Sequence, residues 1–205
     1  MSLYNKYVLP PLIDWACRLR PSAKQREKVI PLAAGHVLEI GVGSGLNLPY
    51  YNPRQMSSLI AIDPEIRVWN RNRVNSETLG FDFEFIETVA ENLPLDSNSI
   101  DTIVTTYTIC SIKNTDEAFE EMRRVLKPGG RMIFNEHGKA PDPFVNQWQN
   151  RLNPLWGRLS GGCSLNKDIP GLIQSAGFRF EWLNSMYIPG WKPASFNYWG
   201  VSTVK

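Results

Sequence analysis

The run Val37-Leu38-Glu39-Ile40-Gly41-Val42-Gly43-Ser44-Gly45 carries an apolar strand straight into a turn built on three glycines. Without Cβ atoms, such a turn can take positive φ and let a ligand touch the main chain. The spacing is G-x-G-x-G, because positions 46 and 47 are Leu46 and Asn47. A dinucleotide fingerprint places its third glycine one residue later and rests a pyrophosphate on the following helix. Glu39 stands two residues before the first glycine. An anionic side chain there suits a ligand with a cationic end better than a pyrophosphate. An ordinary strand-to-helix turn can carry the same glycines, so the rest of the chain decides.

The rest of the chain alternates. Residues 36–41 and 58–63 are short apolar runs of buried-strand character. Pro49 and Pro53 permit only a short, interrupted helix between them. Residues 65–79 are predicted as a surface helix ended by Gly80, residues 81–86 as a third strand and residues 100–106 as a fourth. Residues 116–126 put Phe119, Met122, Val125 and Leu126 on one helical face, and Lys127-Pro128-Gly129-Gly130 stops that helix before a fifth strand at 131–135. A helix over 144–159, interrupted by Pro154, and another over 168–176 follow. Residues 178–188 and 195–204 then read as a terminal antiparallel strand pair. This alternation predicts an α/β, Rossmann-like, mostly parallel sheet with helices on both faces. A single domain is expected, with an N-terminal helical cap over 1–33, a cofactor-binding half over 34–137 and an acceptor-side half over 138–205.

At 205 residues, 42% hydrophobic and 20% charged, the chain can bury a large core without disulfides or metals. The formal net charge of +2 argues against a polyanionic partner, nucleic acid included. Residues 1–35 hold six Lys/Arg against Asp14 and Glu27, a net of +4, which leaves −2 for the remaining 170. Cys17, Cys110 and Cys163 are widely spaced, and neither His36 nor His137 sits in a metal-ligand motif. The expectation is therefore a reducing cytoplasm, no disulfide framework and no metal. No apolar run approaches the roughly 18–20 residues of a membrane span.

Asp63 closes the second strand, 18 residues beyond Gly45, with Pro64 after it. Ligands of open α/β sheets lie outside the strand carboxyl ends, where an acid can take both hydroxyls of a ribose. Capping the next helix is its alternative role. Ala90-Glu91-Asn92-Leu93-Pro94 follows the third strand and can offer backbone N–H groups and small apolar surface to an adenine ring.

Taken together, Glu39-x-Gly41-x-Gly43-x-Gly45, Asp63, Ala90 to Pro94 and Leu126 to Gly130 resemble the class I S-adenosylmethionine-dependent methyltransferases, over residues 30–137. The resemblance implies a seven-stranded sheet with an antiparallel last strand and S-adenosyl-L-methionine as cofactor. It also implies that Glu39 and the backbone of Gly41, Val42, Gly43 and Gly45 hold the methionine part. Asp63 with Pro64 would meet the ribose, Ala90 and Glu91 would frame the adenine, and Thr105 on the fourth strand would complete the cofactor set. Many relatives carry an aspartate just before the Ala-Glu-Asn segment; this chain has Val89, whose side chain cannot accept from the adenine amino group.

Glu136-His137 ends the fifth strand, on the edge where the transferring methyl should point. His137 is the candidate general base, and loop ordering is its bland alternative. His36, Cys110 and Cys163 read as structural. Phe134 to His137, Trp148-Gln149, Pro154-x-Trp156 and Gly162-Cys163-x-Leu165 resemble the alkyl-thiol S-methyltransferase family. That resemblance implies a small apolar acceptor, a thiol first. Trp148, Trp156, Tyr187 and Trp191 are candidate walls for its pocket. N-methylation of an aminolipid such as phosphatidylethanolamine, C-methylation of a quinone precursor, and a non-catalytic cofactor-fold module are the competing readings. Relatives carry an N-terminal membrane anchor. Here Tyr4, Tyr7, Val8, Leu9, Leu12, Ile13 and Trp15 among basic residues suit a lid or a peripheral membrane contact instead.

Overall fold

The computed structural model describes residues 7–72 and 74–205; Tyr4, at the start of the expected cap, lies outside them. Seven strands form one sheet in the order β3-β2-β1-β4-β5-β7-β6. They are β1 (Gly35–Ile40), β2 (Met56–Ile62), β3 (Asp82–Ile86), β4 (Ile100–Thr106), β5 (Leu126–His137), β6 (Phe178–Tyr187) and β7 (Phe196–Val204). The pairs β1–β2, β1–β4, β2–β3 and β4–β5 are parallel, whereas β7 runs antiparallel to both β5 and β6. The expected terminal pair is present, with β7 inserted between β5 and β6.

Apolar residues run continuously through the central strands because both sheet faces are covered. Successive side chains point to opposite faces. Leu38, Ile40, Ile103, Met132 and Phe134 therefore join one core, and Val37, Val104, Ile133 and Val201 the other. Helix α4 (Thr115–Val125) delivers Phe119, Met122 and Val125 to the first core, and α6 (Ile169–Ser175) adds Ile169 and Ile173. Helix α2 (Arg20–Val29) delivers Val29 to the second. Helix α1 (Leu9–Cys17) precedes it, and α5 (Pro143–Leu159) follows β5.

Three elements depart from the sequence reading. The helix expected over 65–79 is only α3 (Ile66–Trp69), capped by the Glu65 side chain on Arg67 N. Asn72 ends it locally, its Oδ1 accepting from Val74 N at 2.9 Å while its amide donates to Val74 O at 3.1 Å. Such side-chain turns compete with the helix ladder. Trp69 packs instead against the sheet edge, stacked on Phe83 and Phe85 at 5.3 and 4.9 Å. Helix α5 passes through Pro154 unbroken. A proline removes one interior hydrogen bond, but the neighbouring Asn153 Oδ1 pins this turn by accepting from Leu165 N at 2.8 Å. Strand β5 begins at Leu126 rather than 131, taking in Lys127 to Gly130 with a slip in its pairing to β4.

Candidate active site

A cavity of about 890 Å³ opens at the carboxyl ends of β1, β2 and β4, beside the point where strand order reverses. The glycine turn forms its floor. Gly41 and Gly43 take φ of 74° and 54°. A Cβ on Gly41 would overlap the Thr108 side chain, so bulk is excluded there by packing. A Cβ on Gly43 would meet only Val68 Cγ1, at 3.8 Å, so the demand at this position is the left-handed backbone and an open face toward the cavity. Asp63 Oδ2 accepts from Gly43 N and Oδ1 from Glu65 N, each at 2.9 Å. Burial pushes the Asp63 carboxyl up, and the two backbone N–H groups only partly offset this. Asp63 thus ties the β1 turn to the β2 turn and still lines the cavity.

Among the sequence-predicted residues, Gly41, Val42, Gly43, Asp63, Pro64, Ala90 and Glu91 line this cavity, with Thr88 and Val89 beside the last two. Gly45 faces a smaller adjoining hollow of about 260 Å³. Glu39 and Thr105 stand behind the wall. Glu39 is fully buried, accepting from Asn47 Nδ2 at 2.8 Å and from the Tyr51 hydroxyl at 2.7 Å. Burial raises its carboxyl to about 7 against the pull of those donors. Asn47, not Glu39, reaches the cavity, and its Oδ1 accepts from Arg26 Nε at 3.0 Å. Thr105 is buried in β4, its hydroxyl without a hydrogen-bond partner among the described residues.

The sequence reading expects a lid or cap from the N-terminal segment, with Leu9 and Ile13 in it, but gives no site role to Asp14, Cys17 or Arg26. Leu9, Ile13, Asp14, Cys17 and Arg26 line the cavity. Asp14 hydrogen-bonds the Ser44 hydroxyl inside the glycine turn and pairs with Arg18 at 2.9 Å. Burial pushes Asp14 up, but its bonds from Arg18 and Ser44 outweigh this and hold it low. An acidic residue inside an amphipathic segment otherwise rich in Lys and Arg was the only sequence hint.

His137 ends β5 as expected but does not line the cavity. It is buried, and its Nε2 lies 3.1 Å from Cys163 Sγ. Cys163 Sγ is also 3.5 Å from Cys110 Sγ and accepts from Trp156 Nε1 at 3.4 Å. The three donor atoms lie within 4.8 Å of one another. The fold therefore assembles a Cys-His-Cys cluster that no local motif announced. Cys110 beside it and His137 hold the Cys163 thiol well below its usual range. Burial would push His137 down, but the Cys163 sulfur raises it. Glu136 Oε1 accepts from Thr108 N and Ile109 N at 2.9 and 3.1 Å, fixing the turn that carries Cys110. His36 lies at the far end of β1, its Nδ1 2.8 Å from Ser58 Oγ. The expected aromatic walls lie elsewhere: Trp156 packs on Trp191 at 5.3 Å, Trp148 on Phe144 at 6.4 Å, and Tyr187 on Phe196 at 4.8 Å.

Sheet order, glycine turn and Asp63 are those expected of a class I S-adenosylmethionine-dependent methyltransferase, and the likeness to known proteins supports that class. A methyltransferase domain family matches residues 38–134. The chain is 32% identical over 145 residues to the thiol S-methyltransferase TMT1A of Homo sapiens, covering 69% of this chain and 59% of that protein. It is 30% identical over 119 residues to the ubiquinone/menaquinone biosynthesis C-methyltransferase UbiE of Hahella chejuensis, covering 56% and 48%. Both matches span less than two thirds of the relative's length. A Thermotoga maritima S-adenosylmethionine-dependent methyltransferase shares the fold, with a TM-score of 0.66 at 20% identity over 98% of this chain and 97% of that one. S-adenosylmethionine is the cofactor of the class. The residues fit it: a bare glycine turn and a carboxylate at the end of β2 face one cavity that extends to Ala90. Among the described residues, no helix is long and apolar enough to cross a membrane.

Proposed function

We propose that the chain transfers the methyl group of S-adenosylmethionine to the sulfur of a small, largely apolar thiol. One observation carries this reading: every carboxylate lining the cavity already has a protein partner. Asp14 is held by Arg18 and Ser44, Asp63 by two backbone N–H groups, Glu65 by Arg67, and Glu91 by Asn114 N. His137 turns to Cys163, away from the cavity wall. An acceptor that must lose a strongly held proton finds no idle carboxylate or histidine among the described residues of the cavity wall. A thiol, with a pKa of about 8.5, ionises with modest help. Lys113 and Arg158 line the same cavity and favour the thiolate, while Leu9, Ile13 and Ile112 supply apolar surface.

In this reading Gly41 to Ser44 and Asn47 hold the methionine part, Asp63 takes the ribose hydroxyls, and Thr88 to Glu91 flank the adenine. The protein supplies alignment and exclusion of water, the main requirements of an in-line displacement from a sulfonium. C-methylation of a quinone precursor is the second reading, favoured by the likeness to UbiE. The test is a labelled-methyl assay on the purified chain with small thiols, quinols and aminolipids, the product identified by mass. Methylated thiol as the main product is expected; exclusive labelling of a quinol or an amine overturns the assignment.

A further inference from the structure

We propose that Cys110, His137 and Cys163 form a metal site, a tetrahedral Cys₂His centre for zinc or a zinc-like divalent ion with its fourth position open. The three residues come from the turn after β4, the end of β5 and the loop after α5, so only the folded chain brings them together. Two of their three donor-atom separations already lie near those of a coordination tetrahedron. With Zn–S of about 2.3 Å and Zn–N of about 2.0–2.1 Å, ligand atoms stand roughly 3.5–3.8 Å apart. The observed separations are 3.5 Å between sulfurs and 3.1 Å from Cys163 Sγ to His137 Nε2. Shifts of a few tenths of an ångström would bring these two pairs to that spacing, and the third pair, Cys110 and His137, lies within 4.8 Å.

The donor set matches the charge. Two thiolates neutralise a divalent ion, and the imidazole joins uncharged, so a neutral centre replaces ionisable groups in a buried place. The surroundings are fixed as an outer shell should be. The Trp156 indole N–H points at Cys163 Sγ, and Glu136 clamps the Cys110 turn through Thr108 N and Ile109 N. Lys167, the nearby cation, is occupied by the carbonyls of Ile109 and Ile112 at 2.9 and 2.7 Å. The chain neighbours of the two cysteines, Ser111 and Gly162, line the cavity, and Cys163 is only partly buried. The fourth ligand, water or another exogenous donor, would enter from that side. Two thiols beside a neutral imidazole, or one thiol beside a thiolate–imidazolium pair, hold two labile protons, and binding converts either state into two thiolates and a neutral ring with two protons released per ion.

The site does not depend on which acceptor is methylated. Its test is a cobalt(II) titration of the reduced, purified chain, followed by zinc displacement. One equivalent of cobalt is expected, with sulfur-to-cobalt charge-transfer absorption and the visible bands of a tetrahedral ion, both bleached by one equivalent of zinc. Cys110→Ser and Cys163→Ser should each weaken binding at least tenfold, whereas Cys17→Ser should not change it. Folded wild-type protein with three titratable thiols and no cobalt spectrum overturns the proposal. So does a spectrum that survives the C110S/C163S double substitution.

Discussion

Glu39 shows how a residue can belong to a cofactor motif without touching the cavity. Its carboxyl is buried beneath Asn47 and Tyr51 and raised from 4.5 to about 7. Between those values the folded chain holds a proton that the unfolded chain has released. Stability from this group is therefore fully present below about pH 4.5 and is lost as pH rises through 7. The shift corresponds to about 3 kcal/mol. Glu39→Gln keeps an acceptor for Asn47, and the Tyr51 hydroxyl can turn to accept from the new amide. Urea denaturation should find E39Q gaining about 3 kcal/mol on the wild type between pH 4.5 and pH 8. An equal difference at both pH values would show that Glu39 titrates normally. Asp63 differs, because it lines the cavity itself, where the proposed reading puts the ribose. Removing a charged hydrogen-bonding partner costs about 1.5–3 kcal/mol per bond. Asp63→Ala should weaken S-adenosylmethionine binding by roughly 30-fold or more by calorimetry, and Asp63→Asn by less. Unaltered affinity in D63A would remove Asp63 from the ribose site.

At the scale of elements, α1 is tied to the glycine turn by a single buried acid. Asp14 reaches Ser44 from one side while Arg18 and Arg71 approach from the other. Asp14→Ala would leave Ser44 and Arg18 only their own contact at 3.5 Å, a loss of about 1–3 kcal/mol. Amide hydrogen exchange over residues 9–17 should accelerate, and cofactor affinity should fall about tenfold, with the exchange of β4 and β5 unaffected. Equal acceleration throughout the sheet would instead mean global destabilisation. This contact also marks where sequence reasoning stops. Strands β1, β2 and β4 are legible because buried parallel strands write unbroken apolar runs, and the glycine turn because its backbone demand is local. Helix α3 was overestimated because three asparagines, Asn70, Asn72 and Asn75, can serve a helix surface or local turns, and composition does not choose. The Asp14–Ser44 contact spans 30 residues, and nothing in either segment encodes the other.

At the scale of the whole molecule, the cavity is a product of topology. Its walls come from α1, the turns after β1, β2 and β4, the segment 88–91 and the loop after α5. That explains why the cofactor end was readable and the acceptor end was not. The former is built from short motifs following individual strands, the latter from residues such as Lys113 and Arg158 that meet only when the sheet closes. Those two cations are exposed, so solvent screens them, yet both line the cavity in which the proposed thiol would bind. A thiolate there is favoured over its thiol by each nearby positive charge. The rate of thiol methylation should therefore rise with pH along a curve whose apparent pKa lies below that of the free acceptor. In a Lys113→Ala, Arg158→Ala double variant the curve should move up by about half a unit at low salt. In the wild type, roughly 1 M salt should produce much of the same shift, because screening then acts within about 3 Å. A profile identical in both proteins at every ionic strength would mean that the acceptor ionises away from these charges, and that the thiolate is selected from solution rather than formed in the cavity.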